Sequence, residues 1–220
     1  MNTHAFTFCD AALLALPSGA LHWPDERLLV VSDLHLGKAA RPVAGGGALL
    51  PPYDTQETLS RLDRDLEATG ARAVICLGDS FDSVAAGAAL SEDETLWITR
   101  LQAGRRWLWI EGNHDPGPVG IGGAHARQHR LGPLTFRHIA TPGARGEVSG
   151  HYHPKARLAL RGRAITRACF LTDEARLILP AYGAYTGGLH TSHATLRGLM
   201  AQDAQAILTG QRPMAIPMPR

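Results

Sequence analysis

Lysine is scarce in this chain: Lys38 and Lys155 are its only two, and arginine supplies the rest of the basic charge. The formal charge of +2 is too small to imply a polyanionic partner by itself. Basic and aromatic residues do not interleave, so no stretch reads as a platform for stacking single-stranded bases. Cysteine is limited to Cys9, Cys76 and Cys169. Their spacing gives neither a zinc-like pair nor a disulfide framework, so reduced thiols in a cytoplasmic protein are expected. Cys76, inside an apolar run, reads as core. No apolar run approaches the ~20 residues of a membrane span. The first residues lack a basic segment followed by an apolar one, so export is not expected. No internal repeat is visible.

What the chain does have is enough apolar sequence, 45% of 220 residues, for one domain over residues 1–220 with a sizeable core. Phe6 and Phe8 alternate with threonines as an edge strand would. Residues 9–20 read as a turn and a piece of helix, followed by a short strand closing at Trp23. Leu28 to Ser32 is the first strong strand. Residues 39–53 carry three successive glycines and a double proline, a loop that either rims a site or is merely a long connection. Asp54 and Glu57 fit a capping box that opens a helix, and Gly70 fits its stop. Residues 72–78 form the next strand. Ser91 and Glu94 repeat the capping box for a helix to about Ala103, and Trp107 to Ile110 is a strand. This βαβ order predicts a partly parallel sheet covered by helices. Residues 116–132, rich in glycine, read as an extended loop. Short, mostly antiparallel strands follow. A last helix is expected over 193–208, with an irregular tail from about 211.

The chemistry lies at strand ends. LLVVSDLHLGK runs from apolar residues into Asp33 and His35. AVICLGDSFD ends at Asp79 and Asp82, WLWIEGNHD at Asn113, His114 and Asp115, and EVSGHYH at His151 and His153. One such pair is weak evidence, since Asp-x-His is common. Four in this order, each after a strand, read as a two-metal hydrolytic site. Asp79, after Gly78, can bridge two ions with one oxygen on each. Two cations would clamp a phosphate and acidify a water between them. Mixed Asp, His and Asn donors favour manganese, iron or zinc over calcium, and imidazoles argue against magnesium as the sole ion. His138 fits a packed core histidine as well as it fits a ligand. Lys155, Arg157, Arg161, Arg163 and Arg167 alternate just after the last motif. Several can share a face toward backbone phosphates, or form an ordinary solvated surface.

The ordered motifs resemble the calcineurin-like metallophosphoesterase superfamily over residues 28–153. The resemblance implies an α/β fold, a four-layer α/β/β/α sandwich of two mixed β-sheets flanked by helices. It implies a first metal site of Asp33, His35, Asp79 and His153 and a second of Asp79, Asn113, His138 and His151, with manganese the foremost ion. It favours His138 over its rivals His125 and His129. It gives His114 the leaving group, with Asp82 or Asp115 orienting a histidine. LLPPYDTQETL, GDSFDS, GHYHPKARL and LPAYGAYTGGL are similar to the bacterial ligase-associated, PdeM-type DNA damage response endonucleases. That narrower resemblance implies a DNA substrate and association with an ATP-dependent ligase and a helicase. A phosphoesterase of small molecules or nucleotides, and a metal-binding scaffold of a repair complex, are the competing expectations.

Overall fold

Leu28–Val31 and Ala73–Leu77 are buried at every position. Strands buried on both faces belong inside a parallel sheet covered on each side. The computed structural model, which describes residues 2–38, 53–117, 120–160 and 163–220, puts them there. The expected loop at 39–53 lies almost wholly outside the described residues. In chain order the elements are β1 (His4–Phe8), β2 (Ala11–Ala15), β3 (Leu21–Trp23), β4 (Leu28–Val31), α1 (Asp54–Thr69), β5 (Ala73–Leu77), α2 (Val84–Ala88), α3 (Glu92–Gln102) and β6 (Arg106–Ile110). Then come β7 (Ala124–Ala126), β8 (Gln128–Leu131), β9 (Leu134–Arg137), β10 (Glu147–Ser149), β11 (Lys155–Leu160), β12 (Arg163–Thr172), β13 (Arg176–Ile178), α4 (Ala194–Leu199), β14 (Gln205–Leu208) and β15 (Met214–Pro217).

One sheet runs β1-β2-β3-β4-β5-β6-β7, antiparallel through β4 and parallel from β4 to β7. The other runs β15-β14-β12-β13-β10-β9-β8, with β11 paired to β12; β9, β10 and β13 are mutually parallel there. Alternation along each strand sorts the core into layers. Leu29, Val31, Val74 and Cys76 face α1 and α3, where Leu59, Leu62, Leu66 and Ile98 meet them. Leu28, Val30, Ile75 and Leu77 face the second sheet and pack with Phe136, Val148, Phe170 and Leu177. Behind that sheet, Cys169, Leu171 and Ile178 cover Leu196 and Met200 of the α4 layer. This is the α/β/β/α sandwich with two mixed sheets.

Five local expectations are corrected. Residues 9–20 hold β2 and no helix; Cys9 and Asp10 turn the β1–β2 hairpin with φ of 46° and 64°. That turn wants Asn-Gly, so Cys-Asp concealed it. The glycine-rich 116–132 segment contributes the edge strands β7 and β8. The helix expected over 193–208 ends at Leu199, and β14 follows. Ala206 and Leu208 share one buried face of β14 and Ile207 the other, so an apolar run that fits helical spacing is consumed by two faces of a strand. The tail is not irregular: β15 pairs antiparallel with β14 at the sheet edge, where its proline is tolerated. The Ser91–Glu94 capping box is formed. At α1 the N-cap is Tyr53, without a side-chain cap, and Asp54 is already helical. Among the described residues no helix is long and apolar enough to cross a membrane.

Candidate metal centre

β4, β5 and β6 are parallel in one sheet, and β9 and β10 in the other, so the loops leaving each set open at one end of the strands. In open α/β sheets, ligands collect at the carboxyl ends of such strands. Asp33 and His35 follow β4, Asp79 and Asp82 follow β5, and Asn113 to Asp115 follow β6. His138 follows β9, and His151 and His153 follow β10. The loops are zipped together by backbone: His35 N–H donates to Asp79 O at 2.9 Å, and Gly150 N–H to His138 O at 3.0 Å. Asp33, His35, Asp79, His151 and His153 have φ of 53°, 45°, 46°, 71° and 46°. Left-handed backbone costs a residue with a Cβ roughly 1–2 kcal/mol. Five of the nine non-glycine residues with positive φ among the described residues fall in this one cluster, and strained backbone of this kind gathers at functional sites. Gly78 removes a different obstacle: a Cβ there would lie 2.6 Å from the His138 ring.

Two groups of potential ligand atoms converge, Asp33 with His35 and His153, and Asp79 with His138 and His151, each within 4.8 Å; a third, of His35, Asp82 and His114, adjoins the first through His35. Asp33 Oδ1 lies 3.1 Å from His153 Nε2. Both atoms are buried and make no hydrogen bond, and His35 Nδ1 shares that condition. In the second group His138 Nδ1 donates to the Leu77 carbonyl at 2.7 Å, which leaves Nε2 facing inward. That Nε2 is 2.9 Å from Asn113 Oδ1, 3.2 Å from His151 Nδ1 and 3.3 Å from Asp79 Oδ2. Lone pairs crowded this closely need a proton or a cation between them. A leftover buried polar atom costs about 1–3 kcal/mol. These oxygen and imidazole donors fit divalent ions of intermediate hardness. Both groups therefore suit a binuclear metal site.

The electrostatics of His35, Asp79 and Asp33 agree, whereas at His138 burial is outweighed by the Asp79 and Asp33 carboxylates, which raise its pKa. Burial pushes His35 down to about 4, outweighing the pull of Asp33, so the imidazole is neutral and able to ligate. Burial alone would raise Asp79, but the hydrogen bond and charge of His138 and the His114 amide outweigh it, and the carboxyl is held at about 2. For Asp33 burial also opposes ionisation; His153, His138 and Ser32 overcome it and lower its pKa. The Ser32 hydroxyl and the His151 amide both donate to Asp33 Oδ2. Ser32 was not singled out in the sequence; a serine immediately before a strand-end aspartate was the available signal.

Several site expectations change. Asp79 does not present one oxygen to each side: Oδ1 accepts the His114 N–H at 2.9 Å, and Oδ2 faces the histidines. Asp115 does not orient a histidine. Its oxygens accept N–H groups from Gly112, Asp79, Ser80 and Phe81 at 2.7–3.2 Å, tying the β6 exit to the β5 exit. Asp82 does stand beside a histidine, 3.8 Å from His35 Nδ1. His114 Nδ1 donates to the Asp82 carbonyl at 2.9 Å, and its Nε2 lies 4.0 Å from Asp79 Oδ2. His125 and His129 sit in β7 and β8, outside both groups. Lys155 and Arg157 share a face of β11, whereas Arg167, opposite Ala156, belongs to the other. Arg161 lies outside the described residues, and Arg163 opens β12. Beside Asn113 and His138 a cleft of about 400 Å³ opens between Arg127, Arg137 and Ile139, and no sequence pattern announced Arg127. A cavity of about 530 Å³ at the opposite end, lined by Leu28, Ala73 and Arg106, holds none of these groups.

Strand ends that deliver this donor set in this order define a phosphoesterase, and residues 26–183 match the calcineurin-like phosphoesterase family model. The chain belongs to that family and is a metal-dependent phosphoesterase. Its particular likeness is to the crystal structure of Pseudomonas putida nuclease MPE, with 31% identity over 97% of this chain and 100% of that one and a TM-score of 0.77. Yfce, a phosphoesterase from E. coli, is 11% identical over 87% of this chain and 99% of its own, and its TM-score of 0.41 carries no argument. No protein of curated function matches the sequence.

Proposed function

We propose that the chain is a phosphodiesterase acting on nucleic acid, with Asp33, His35, Asp79 and His153 holding one divalent cation and Asp79, Asn113, His138 and His151 a second. The observation that carries this reading is the convergence of two donor groups, from both sheets, beside His114. Such ions, manganese foremost and iron or zinc as rivals, supply charge to polarise a phosphoryl group and to acidify the attacking water. Asp79, whose Oδ2 lies 3.3 Å from His138 Nε2, would be the ligand the two ions share. The Leu77 carbonyl fixes the His138 tautomer, as supporting hydrogen bonds do for histidine ligands. His114, partly exposed and anchored through Nδ1, turns Nε2 toward the site, where it can protonate a departing oxygen. The nuclease name of the Pseudomonas putida relative and the open cleft with Arg127 support a DNA strand as substrate over a small ester. The free thiols support a reducing cytoplasm.

The test is hydrolysis of bis(p-nitrophenyl) phosphate, cyclic nucleotides and defined DNA by protein reconstituted with manganese, iron or zinc. Asp79→Ala is expected to lose activity and most bound metal, measured by elemental analysis. Full activity with normal metal content in that variant would defeat the ligand assignment. Turnover of the small esters with none of DNA would return the substrate to the small-molecule class.

A further inference from the structure

The AYGAYTGG segment has no role in the chemistry above, yet both its feet stand on the centre. Gly183 N–H donates to the Asp33 carbonyl at 3.1 Å. Gly188 lies so close to His153 that a Cβ on it would come within 2.1 Å of the His153 carbonyl. Between these feet Tyr185 is half exposed, with φ of 55°. A tyrosine in left-handed backbone, showing its ring to solvent, gains nothing from core packing. The chain's two lysines, 117 residues apart in sequence, meet here. Lys38 Nζ donates to the Tyr185 carbonyl at 3.2 Å and Lys155 Nζ to the Thr186 carbonyl at 2.9 Å. An ammonium has three donors, and each lysine spends one on the loop. Among the described residues no carboxylate pairs with either.

We propose that Lys38, Lys155 and Tyr185 form a lip that takes the nucleotide beside the scissile phosphodiester, its phosphate on the ammonium groups and its base on the tyrosine ring. This rests on the nucleic-acid reading of the centre. The sequence shows no interleaving of basic and aromatic residues; the fold assembles that combination from three separate segments. Base stacking on an aromatic side chain is sequence-tolerant, and phosphate contacts fix position.

The probe is a fluorescein-labelled oligodeoxynucleotide with a phosphorothioate backbone, titrated against manganese-loaded protein and followed by anisotropy. A second probe of the same length carries abasic sites throughout. Lys38→Gln with Lys155→Gln removes both charges while leaving amide donors for the loop carbonyls. Tyr185→Gly removes the ring at a backbone angle glycine prefers, so the fold does not suffer. Tyr185→Gly is expected to raise Kd by about fivefold or more for the base-bearing probe, the low end of stacking effects, and to leave the abasic probe's Kd in place. The double lysine variant is expected to weaken both probes and to lower the slope of log K against log salt by about 0.7 for each phosphate it no longer neutralises. Wild-type binding of the base-bearing probe by Tyr185→Gly, or an unchanged salt slope, overturns the lip. Cleavage of unmodified DNA is followed in parallel. Lip-dependent binding without cleavage leaves the lip standing and removes the nuclease reading; cleavage with lip-independent binding does the reverse.

Discussion

His114 is the residue whose role and whose neighbours can be separated by experiment. Its ring is anchored on the Asp82 carbonyl and its backbone N–H on Asp79, but its side chain is more open than that of Asp33 or His138. It can therefore be truncated without emptying a buried pocket. His114→Ala is expected to retain metal and to slow a poor leaving group, such as a nucleoside hydroxyl, by about 10²- to 10⁴-fold. Nitrophenolate, which needs no proton to leave, should slow far less. Steady-state rates on the two substrates decide the matter, and equal losses would remove the acid role. At this scale the sequence was most informative, because strand-end aspartates and histidines have few other reasons to follow buried strands. It was least informative at His138, since nothing in FRHIA reveals that Leu77 supplies the carbonyl that orients the ring.

The elements matter here through how they stop. β4, β5 and β6 were legible because a parallel strand buried on both faces leaves an unbroken apolar run. β2, β14 and β15 were not: the all-apolar AALLA of β2 hides its alternation of buried and partly exposed positions, the apolar residues of β14 also fit helical spacing, and β15 lies in a proline-rich tail. Register across the parallel strands then sets where the exits fall, and Asp115 holds two of those exits together. It accepts four backbone N–H groups at a site where little water can replace it. Burial raises its carboxyl pKa, with those N–H groups pulling the other way. Asp115→Ala leaves the donors unpaired. At about 1–3 kcal/mol for a buried group left unsatisfied, unfolding in urea should show a loss of that size. Metal affinity should fall with it, because Asp79, Ser80 and Phe81 lose their tether. A stability loss with unchanged metal affinity would mean that the tether and the centre are independent.

For the whole molecule, the centre is where the two sheets meet. Asp33 and His35 come from the first sheet and His153 from the second; Asp79 comes from the first, and His138 and His151 from the second. Each proposed ion thus joins the layers at one end of the sandwich, while the apolar contacts of Ile75, Leu77, Phe136 and Phe170 join them through the middle. Those apolar contacts do not depend on metal, so chelation is expected to loosen one end and leave the fold intact. A ligand at a hundred times its Kd stabilises the folded state by about 2.7 kcal/mol. Chelation should therefore lower the melting temperature by several degrees, reversibly on adding manganese. Hydrogen exchange should then quicken together in residues 33–36, 79–82, 112–115 and 150–153, and remain slow in β5 and β10. Faster exchange confined to one sheet's loops would show that the ions do not bridge the layers, and the ligand partition would have to be redrawn within a single sheet.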